Sequence, residues 1–487
     1  MQDDRIPVVA AVGQTVDRDG EPSAVDLAET AARAAFDTAP KLADRVGRVS
    51  FVGIVGPGPY NHAPASELAT RLGLDTSDRE VTTIGGNTPQ WLVNRAAADI
   101  AAGRAETVLI AGGEAMKSKR PARPKGPVPE QPDPVVGDDR FGVGPAETAI
   151  GLILPAHIYP MLESVQAAAA GRSHAEHRAF LGRLLAPFTE QAAKHPCAWS
   201  PEVRTPDELA EPTEDNRIIA EPYTKRMNAF LNVNQGAALV VTSLARARAA
   251  GVADSAVFVA SGAGATDVWF PSARPHLGRS PGIAAATGGA LTAAGLTADD
   301  MSLFDLYSCF PVAVELAAIE LGLAVDDARG LTVTGGLPYF GGAGNNYVTH
   351  AIATMVERLR EGGGHGLLTG LGWYVSKHAA GVYSTTPPAR GFVAADTSGE
   401  QEAIDATALE VALEAEGPAT VEAATVVYGR DGSVSSAPVI ATLADGRRVV
   451  AGAAPEELAS LAGVNLVGAR VEVAGAPPSY RVVDGPS

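Results

Sequence analysis

Five residues in two short stretches carry side chains suited to acid–base or nucleophilic work. They are Tyr307, Ser308 and Cys309 in DLYSCF, and Tyr347 and His350 in NNYVTH. A tyrosine can give a proton to a developing oxyanion, and a histidine can take or give one near neutral pH. A thiol or an activated hydroxyl can attack a carbonyl. Tyr347 and His350 stand three apart and share a face of a predicted helix. Each group also has a plainer role: packing at a strand end for Tyr307 and Cys309, a core or capping position for His350. Glycines surround these stretches, at Gly85-Gly86, Gly335-Gly336 and Gly341-Gly342-x-Gly344. They let backbone approach a ligand and could line an oxyanion hole, or they serve tight packing where helices enter sheets. The basic run KSKRPARPK at 117–125 could hold phosphates, or it is a solvated loop.

Alternating strands and helices must position these groups. Apolar strands are predicted at 7–14, 49–56 and 106–112, and helices at 24–39 and 89–103. Prolines and charges over 117–139 break the pattern, and 146–224 reads as helices and loops. Strands return at 236–243 and 256–261, a helix at 281–296, a strand running into a helix at 303–322, and the start of another unit at 331–336. A helix at 345–361 and strands at 366–373 and 379–384 follow. Two βα halves separated by an irregular insert predict a layered α/β fold. From about residue 399 the texture changes to short alternating strands with turns at Arg430-Asp431-Gly432 and Ala444-Asp445-Gly446 and one small helix near 455–462. That predicts a separate antiparallel barrel.

At 487 residues the chain is expected to form two or three domains. No long apolar run predicts a membrane span, and the acidic N-terminus MQDDRIPVV is unlike a signal peptide. The net charge of −18 argues against nucleic acid as a partner. Two cysteines make neither a disulfide framework nor a metal site, which suits a reducing cytoplasm.

Four segments in order resemble landmarks of the thiolase superfamily. They are 81–116 with its turn Gly85-Gly86-Asn87-Thr88, 220–243 (AEPYTKRMNAFLNVNQGAALVVTS), DLYSCF, and TGGLPYFGGAGNNYVTHAI at 334–352. The resemblance implies a duplicated five-layer thiolase fold. Its expected parts are a first half at 1–118, a loop domain at 119–225, a second half at 226–397 and a C-terminal β-barrel at 398–487. It is closest to thiolase-like proteins of type 1, with an appended barrel. The family's reactive groups do not carry over. Gly85 stands at the nucleophilic cysteine's place, Gly342 at the histidine's, Tyr307-Ser308 at the Asn-Glu or His-Asp pair, and glycine or Leu371 at the late cysteine's. A glycine cannot hold an acyl group.

What the resemblance implies is an acyl-CoA-type ligand, coenzyme A or an acyl-CoA bound non-covalently, without acyl-cysteine chemistry. Ligand contacts would fall at Gly86, Asn87, Ser261, Gly262, Gly341 and Gly344. Candidate reactive groups are Tyr307, Ser308, Tyr347 and His350, with Cys309 a weaker replacement nucleophile. One alternative is a retro-aldol lyase using Tyr307 and Tyr347; another is a scaffold recruiting a protein partner through the barrel. The acyl-CoA-binding and lyase readings both expect a deep polar-lined pocket at Gly85, Tyr307 and Gly342, whereas the scaffold reading permits a collapsed one. The chain is expected to be a monomer or a homodimer.

Overall fold

The computed structural model describes residues 3–56, 62–119 and 131–485, so 120–125 of the basic run lie outside the described residues. The first half runs β1 (Pro7–Val16), α1 (Ala24–Thr38), β2 (Arg48–Phe51), α2 (Pro64–Leu72), β3 (Asp78–Thr82), α3 (Thr88–Ala102) and β4 (Thr107–Ala115). The loop region holds β5 (Val135–Val136), α4 (Pro145–Ala149), α5 (Pro155–Ala169), α6 (His174–Lys194), α7 (Pro206–Ala210), β6 (Ile218–Ala220) and β7 (Tyr223–Thr224). The second half opens with β8 (Asn234–Ser243), α8 (Leu244–Ala250), β9 (Val257–Thr266), α9 (Pro281–Ala294), β10 (Leu303–Asp305) and α10 (Pro311–Leu321). It continues with α11 (Gly336–Tyr339), α12 (Tyr347–Gly362), β11 (His365–Gly372), β12 (Lys377–Ser384) and β13 (Val393–Ala394). The C-terminal region holds α13 (Ser398–Asp405), β14 (Val411–Ala412), β15 (Ala415–Ala424), β16 (Val427–Tyr428) and β17 (Val434–Ser436), then β18 (Pro438–Leu443), β19 (Arg448–Ala453), β20 (Arg470–Gly475) and β21 (Ser479–Asp484).

The main sheet has the order β10-β11-β12-β9-β1-β8-β4-β2-β3-β5. β1 pairs with β8 from Pro7 to Val16 but meets β9 only at Val8 and Val9. Two half-sheets therefore join at that short seam. β8 is buried along its whole length, as expected of an apolar strand covered on both faces. The core helices α3 and α12 each pack on strands of both halves. α3 starts after the Gly85-Gly86-Asn87 turn with Pro89 in its first turn, and stops at Gly103 in the left-handed conformation. α12 starts after Asn345-Asn346. The two starts are tied together, because Gly85 N–H donates to Asn345 Oδ1 at 2.9 Å and Asn345 Nδ2 donates to Gly53 O at 2.7 Å. Both positive helix ends thus face one small region.

The strand expected over 49–56 ends at Phe51, where the chain leaves the ladder. The unit expected to start at 331–336 is no strand. Its backbone is taken instead by the Asp305 carboxylate, which accepts from Val333 N–H at 2.9 Å and Thr332 Oγ1 at 3.0 Å. The small helix near 455–462 is a single turn over Leu458–Leu461.

Residues 415–484 form a closed five-stranded barrel: β18-β15-β20-β21, closed by β19 pairing with both β18 and β21. Its interior has its own core, around Val421, Val439, Val449, Val471 and Val473. β16 leaves the barrel to pair with β6, completing a four-stranded sheet β17-β16-β6-β7. No described helix is long and apolar enough to cross a membrane.

Candidate functional site

At the start of α3 the place of a nucleophile is occupied by other groups. A side chain on Gly85 would meet Asn87 Oδ1 at 2.5 Å, Lys377 Cε at 3.0 Å and Lys377 Nζ at 3.1 Å. One on Gly86 would run into the Tyr307 hydroxyl and, at 2.6 Å, the Leu371 carbonyl. One on Gly342 would meet Leu231 at 2.9 Å and the Phe230 carbonyl at 3.1 Å. Protein atoms therefore fill the space beside each of the three glycines. Gly341 packs on Gln235 and Gly344 on Glu114.

Tyr307 N–H donates to Thr369 Oγ1 at 2.9 Å, which fixes the residue at the end of β10. Its ring meets that of Tyr347 edge to face, with centroids 5.8 Å apart. Tyr347 OH lies 2.6 Å from Thr334 Oγ1 and 3.4 Å from Asp305 Oδ1. Burial, then the charges of neighbours, holds both phenols well above the ordinary tyrosine range, so both are protonated. Burial also raises Asp305 to about 6, against the backbone N–H of Val333 and the Thr332 hydroxyl, which favour its charged form.

The other candidates are spread out. Ser308 is buried against Gly336. Burial pushes the Cys309 thiol up to about 12 and that of Cys197 up to about 11, so neither is a thiolate near neutral pH. His350 is engaged by other groups: its Nδ1 lies 2.9 Å from Gln14 Oε1 and its ring packs on Phe340. Burial, then His195, lowers it to about 3, so it stays neutral. Ser261 Oγ donates to Ala290 O at 2.6 Å inside the second half.

A cleft of about 750 Å³ opens beside α3. Asn87, Thr88, Trp91, Asn94 and Arg95 line it from α3, Gly262 to Thr266 from β9, and Lys377 and Asp138 also border it. Arg95 Nη2 binds Glu80 Oε2 at 2.7 Å and the guanidinium lies 5.3 Å from the centre of the Trp91 ring, while Nη1 is buried without a partner among the described residues. Asn87 Oδ1 is also buried and unpartnered. Lys377 Nζ donates to Ile84 O at 2.6 Å and to Asp138 O at 3.1 Å. Burial lowers its ammonium to about 8, with Asp138 acting in the opposite sense. Asn87 and Gly262 are thus the expected ligand contacts that border this cleft. Trp91 and Arg95 lie within the 81–116 landmark but were not among the expected contacts, and Lys377 belongs to no motif. The one available signal was a lysine heading the otherwise apolar KHAAGVYS, a strand buried throughout.

A second polar cluster lies in the loop region. Glu163 Oε1 is 2.8 Å from His177 Nε2, Tyr223 OH donates to Glu163 Oε2 at 2.6 Å, and Glu315 joins them. Burial, then the Glu163 carboxylate, raises Glu315 far above the ordinary range. The spacing would also suit a metal ion, but Arg172 Nη1 stands 3.4 Å from His177 Nδ1 and opposes a further cation. A proton shared by two carboxyls satisfies the same geometry.

Residues 400–475 match the family model of the thiolase-like protein type 1 additional C-terminal domain. No curated protein matches the chain. Among solved structures, a monomeric SCP2-thiolase like protein type 1 from Mycobacterium smegmatis is 33% identical, with a TM-score of 0.86, over 99% of this chain and 100% of that one. The Ltp2-ChsH2(DUF35) aldolase shares the fold at 20% identity and TM-score 0.60, over 79% of this chain and 99% of that one. An acetyl-CoA acetyltransferase from Syntrophomonas wolfei does so at 17% and 0.54, over 78% and 99%. With the glycine-vacated turn set in a thiolase-like fold that ends in this barrel, the chain belongs to the SCP2-thiolase-like proteins of type 1.

Proposed function

We propose that this protein binds an acyl-CoA-type ligand in the cleft beside α3 and forms no acyl-cysteine. The observation that carries this is the wall of the cleft. It offers the positive end of α3, the Arg95 side chain, the Trp91 ring, and the strand from Gly262 to Thr266. A phosphate suits Arg95 and a base or pantetheine arm suits Trp91 and the strand. Against acyl-cysteine chemistry stand Gly85 and two cysteines held as thiols by burial. Two free cysteines also suit a reducing cytoplasm as the compartment.

Calorimetry with CoA, acetyl-CoA and acetoacetyl-CoA tests this. Saturable heat is expected, with affinity falling about tenfold in Arg95→Ala as a charge-assisted contact of ~1.4 kcal/mol is lost. No heat with any CoA ester overturns it.

The edge-to-face contact of Tyr307 and Tyr347 favours a second reading, a retro-aldol lyase in which a protonated phenol serves as acid. Tyr307→Phe is then expected to abolish cleavage of a β-hydroxyacyl thioester. Full cleavage by that variant would rule the phenol out.

A further inference from the structure

We infer that Lys377 is an amine nucleophile that captures the carbonyl of a ketone or aldehyde entering the cleft, as an imine. Position comes first. Lys377 Nζ lies within 3.1 Å of where a side chain on Gly85 would start, in the turn just before α3, and the residue borders the cleft. The chain carries no side chain at Gly85, and a primary amine from the facing strand occupies the vacated spot.

Hydrogen bonding then distinguishes a nucleophile from a mere tether. Ile84 O and Asp138 O accept two N–H bonds from Nζ. A neutral amine has two N–H groups, so both are satisfied by these carbonyls and the lone pair is left uncommitted. Among the described residues the third hydrogen of an ammonium has no oxygen acceptor, only the face of the Trp269 ring, 6.0 Å from Nζ to its centre. Asn87 is 8% exposed, and its partnerless Oδ1 points at the same spot, 2.5 Å from the position of a Gly85 side chain. That oxygen can accept from the hydroxyl formed when an amine adds to a carbonyl.

The surroundings agree. Burial is the main cause that lowers Lys377 from 10.5 to about 8, with Arg140 acting in the same sense and Asp138 and Asp139 opposing. At pH 8 the share of free amine is then about two orders of magnitude above that of an ordinary lysine. The hairpin turn that delivers Lys377 is also strained, with Trp373 at φ 56° and Val375 at φ 59°. A β-branched residue in that region is an outlier of the kind that persists where surrounding structure imposes it.

The step balances without a cofactor. The Nζ lone pair adds to the carbonyl carbon, the C=O π pair becomes a hydroxyl after proton transfer from nitrogen, and that hydroxyl leaves as water while C=N forms. Overall, a carbonyl compound and the lysine amine give an imine and water.

The inference rests on the cleft being a ligand site, but not on CoA being the ligand. Acetylacetone is therefore the probe: a 1,3-diketone condenses with an amine to a stable, ultraviolet-absorbing enaminone and carries no CoA. The expected result is one adduct per chain, of diketone mass less one water, mapped by peptide digestion to Lys377. Its rate should rise with a midpoint near pH 8, and the adduct should be lost in Lys377→Arg and Lys377→Met checked for folding by circular dichroism. Labelling spread over other lysines, or unchanged in Lys377→Arg, overturns the inference. Silence with acetylacetone while CoA still gives heat overturns the amine alone; an adduct without CoA heat sustains the amine and removes the acyl-CoA reading.

Discussion

A cysteine restored at Gly85 would collide with Asn87 Oδ1 and the Lys377 side chain. Gly85→Cys is therefore expected to lose ~1–3 kcal/mol in a denaturant titration, as overpacked sites do, and to gain no thiolysis. An unchanged midpoint would show that the site has room for a nucleophile after all. Glu315 allows a different test. Its folded pKa is raised above the ordinary 4.5, so the native state binds more protons than the unfolded one. Its contribution is complete below that value and is lost as pH rises. Glu315→Gln removes the proton equilibrium and should flatten this loss. Urea midpoints at pH 5 and pH 8 should fall further for the parent than for the variant, and parallel falls would place the charge elsewhere. Residues of this kind were barely legible in sequence. Glu315 lies far along the chain from Glu163 and His177, and Lys377 belongs to no pattern, because their chemistry arises from burial that only the fold creates. Tyr307 and Tyr347 were legible as candidates through the motifs that hold them.

At the scale of elements, apolar runs and glycine stops proved the most readable. The strand expected at 236–243 is part of β8, and the helix expected at 89–103 matches α3 within one residue at each end. Both have strong local signals: a continuous apolar run in one, proline and glycine punctuation in the other. The stretch at 331–336, expected to begin a further unit, begins with no strand, because its backbone partner is a side chain, Asp305, brought from another element. Its last turn depends on glycine. Gly335 adopts φ +110°, and a methyl group there would meet the Ala192 backbone nitrogen of α6 at 2.6 Å. Gly335→Ala is expected to cost ~2–4 kcal/mol, combining strain with a backbone clash. Thermal unfolding reads this directly, and a shift of less than a degree would mean that α6 yields easily.

For the whole molecule, the outer edge of the first half-sheet bears on assembly, since a second copy could pair there. β3 is bordered by β5, whose Val135 and Val136 pair with Val81 and Thr82. The edge that a second copy could extend is thus partly covered by the chain itself. Light scattering after size exclusion is expected to give the single-chain mass of 49.8 kDa. A doubled mass at micromolar concentration would show that the rest of β3, from Asp78 to Glu80, suffices for pairing.

The barrel was foreseeable from its alternating strands and turns, but its attachment was not, since nothing local marks Val427 as the partner of Ala220. That attachment has a consequence for the order in which the protein is made. Synthesis proceeds from the N-terminus, and domains fold as they emerge. The hairpin of β6 and β7 leaves the ribosome some two hundred residues before the strand that completes its sheet. Until then its outer edge stays open, and the interval ends only when β16, within the barrel region, is translated. The C-terminal barrel is, in this sense, the clasp that closes a segment waiting since mid-synthesis.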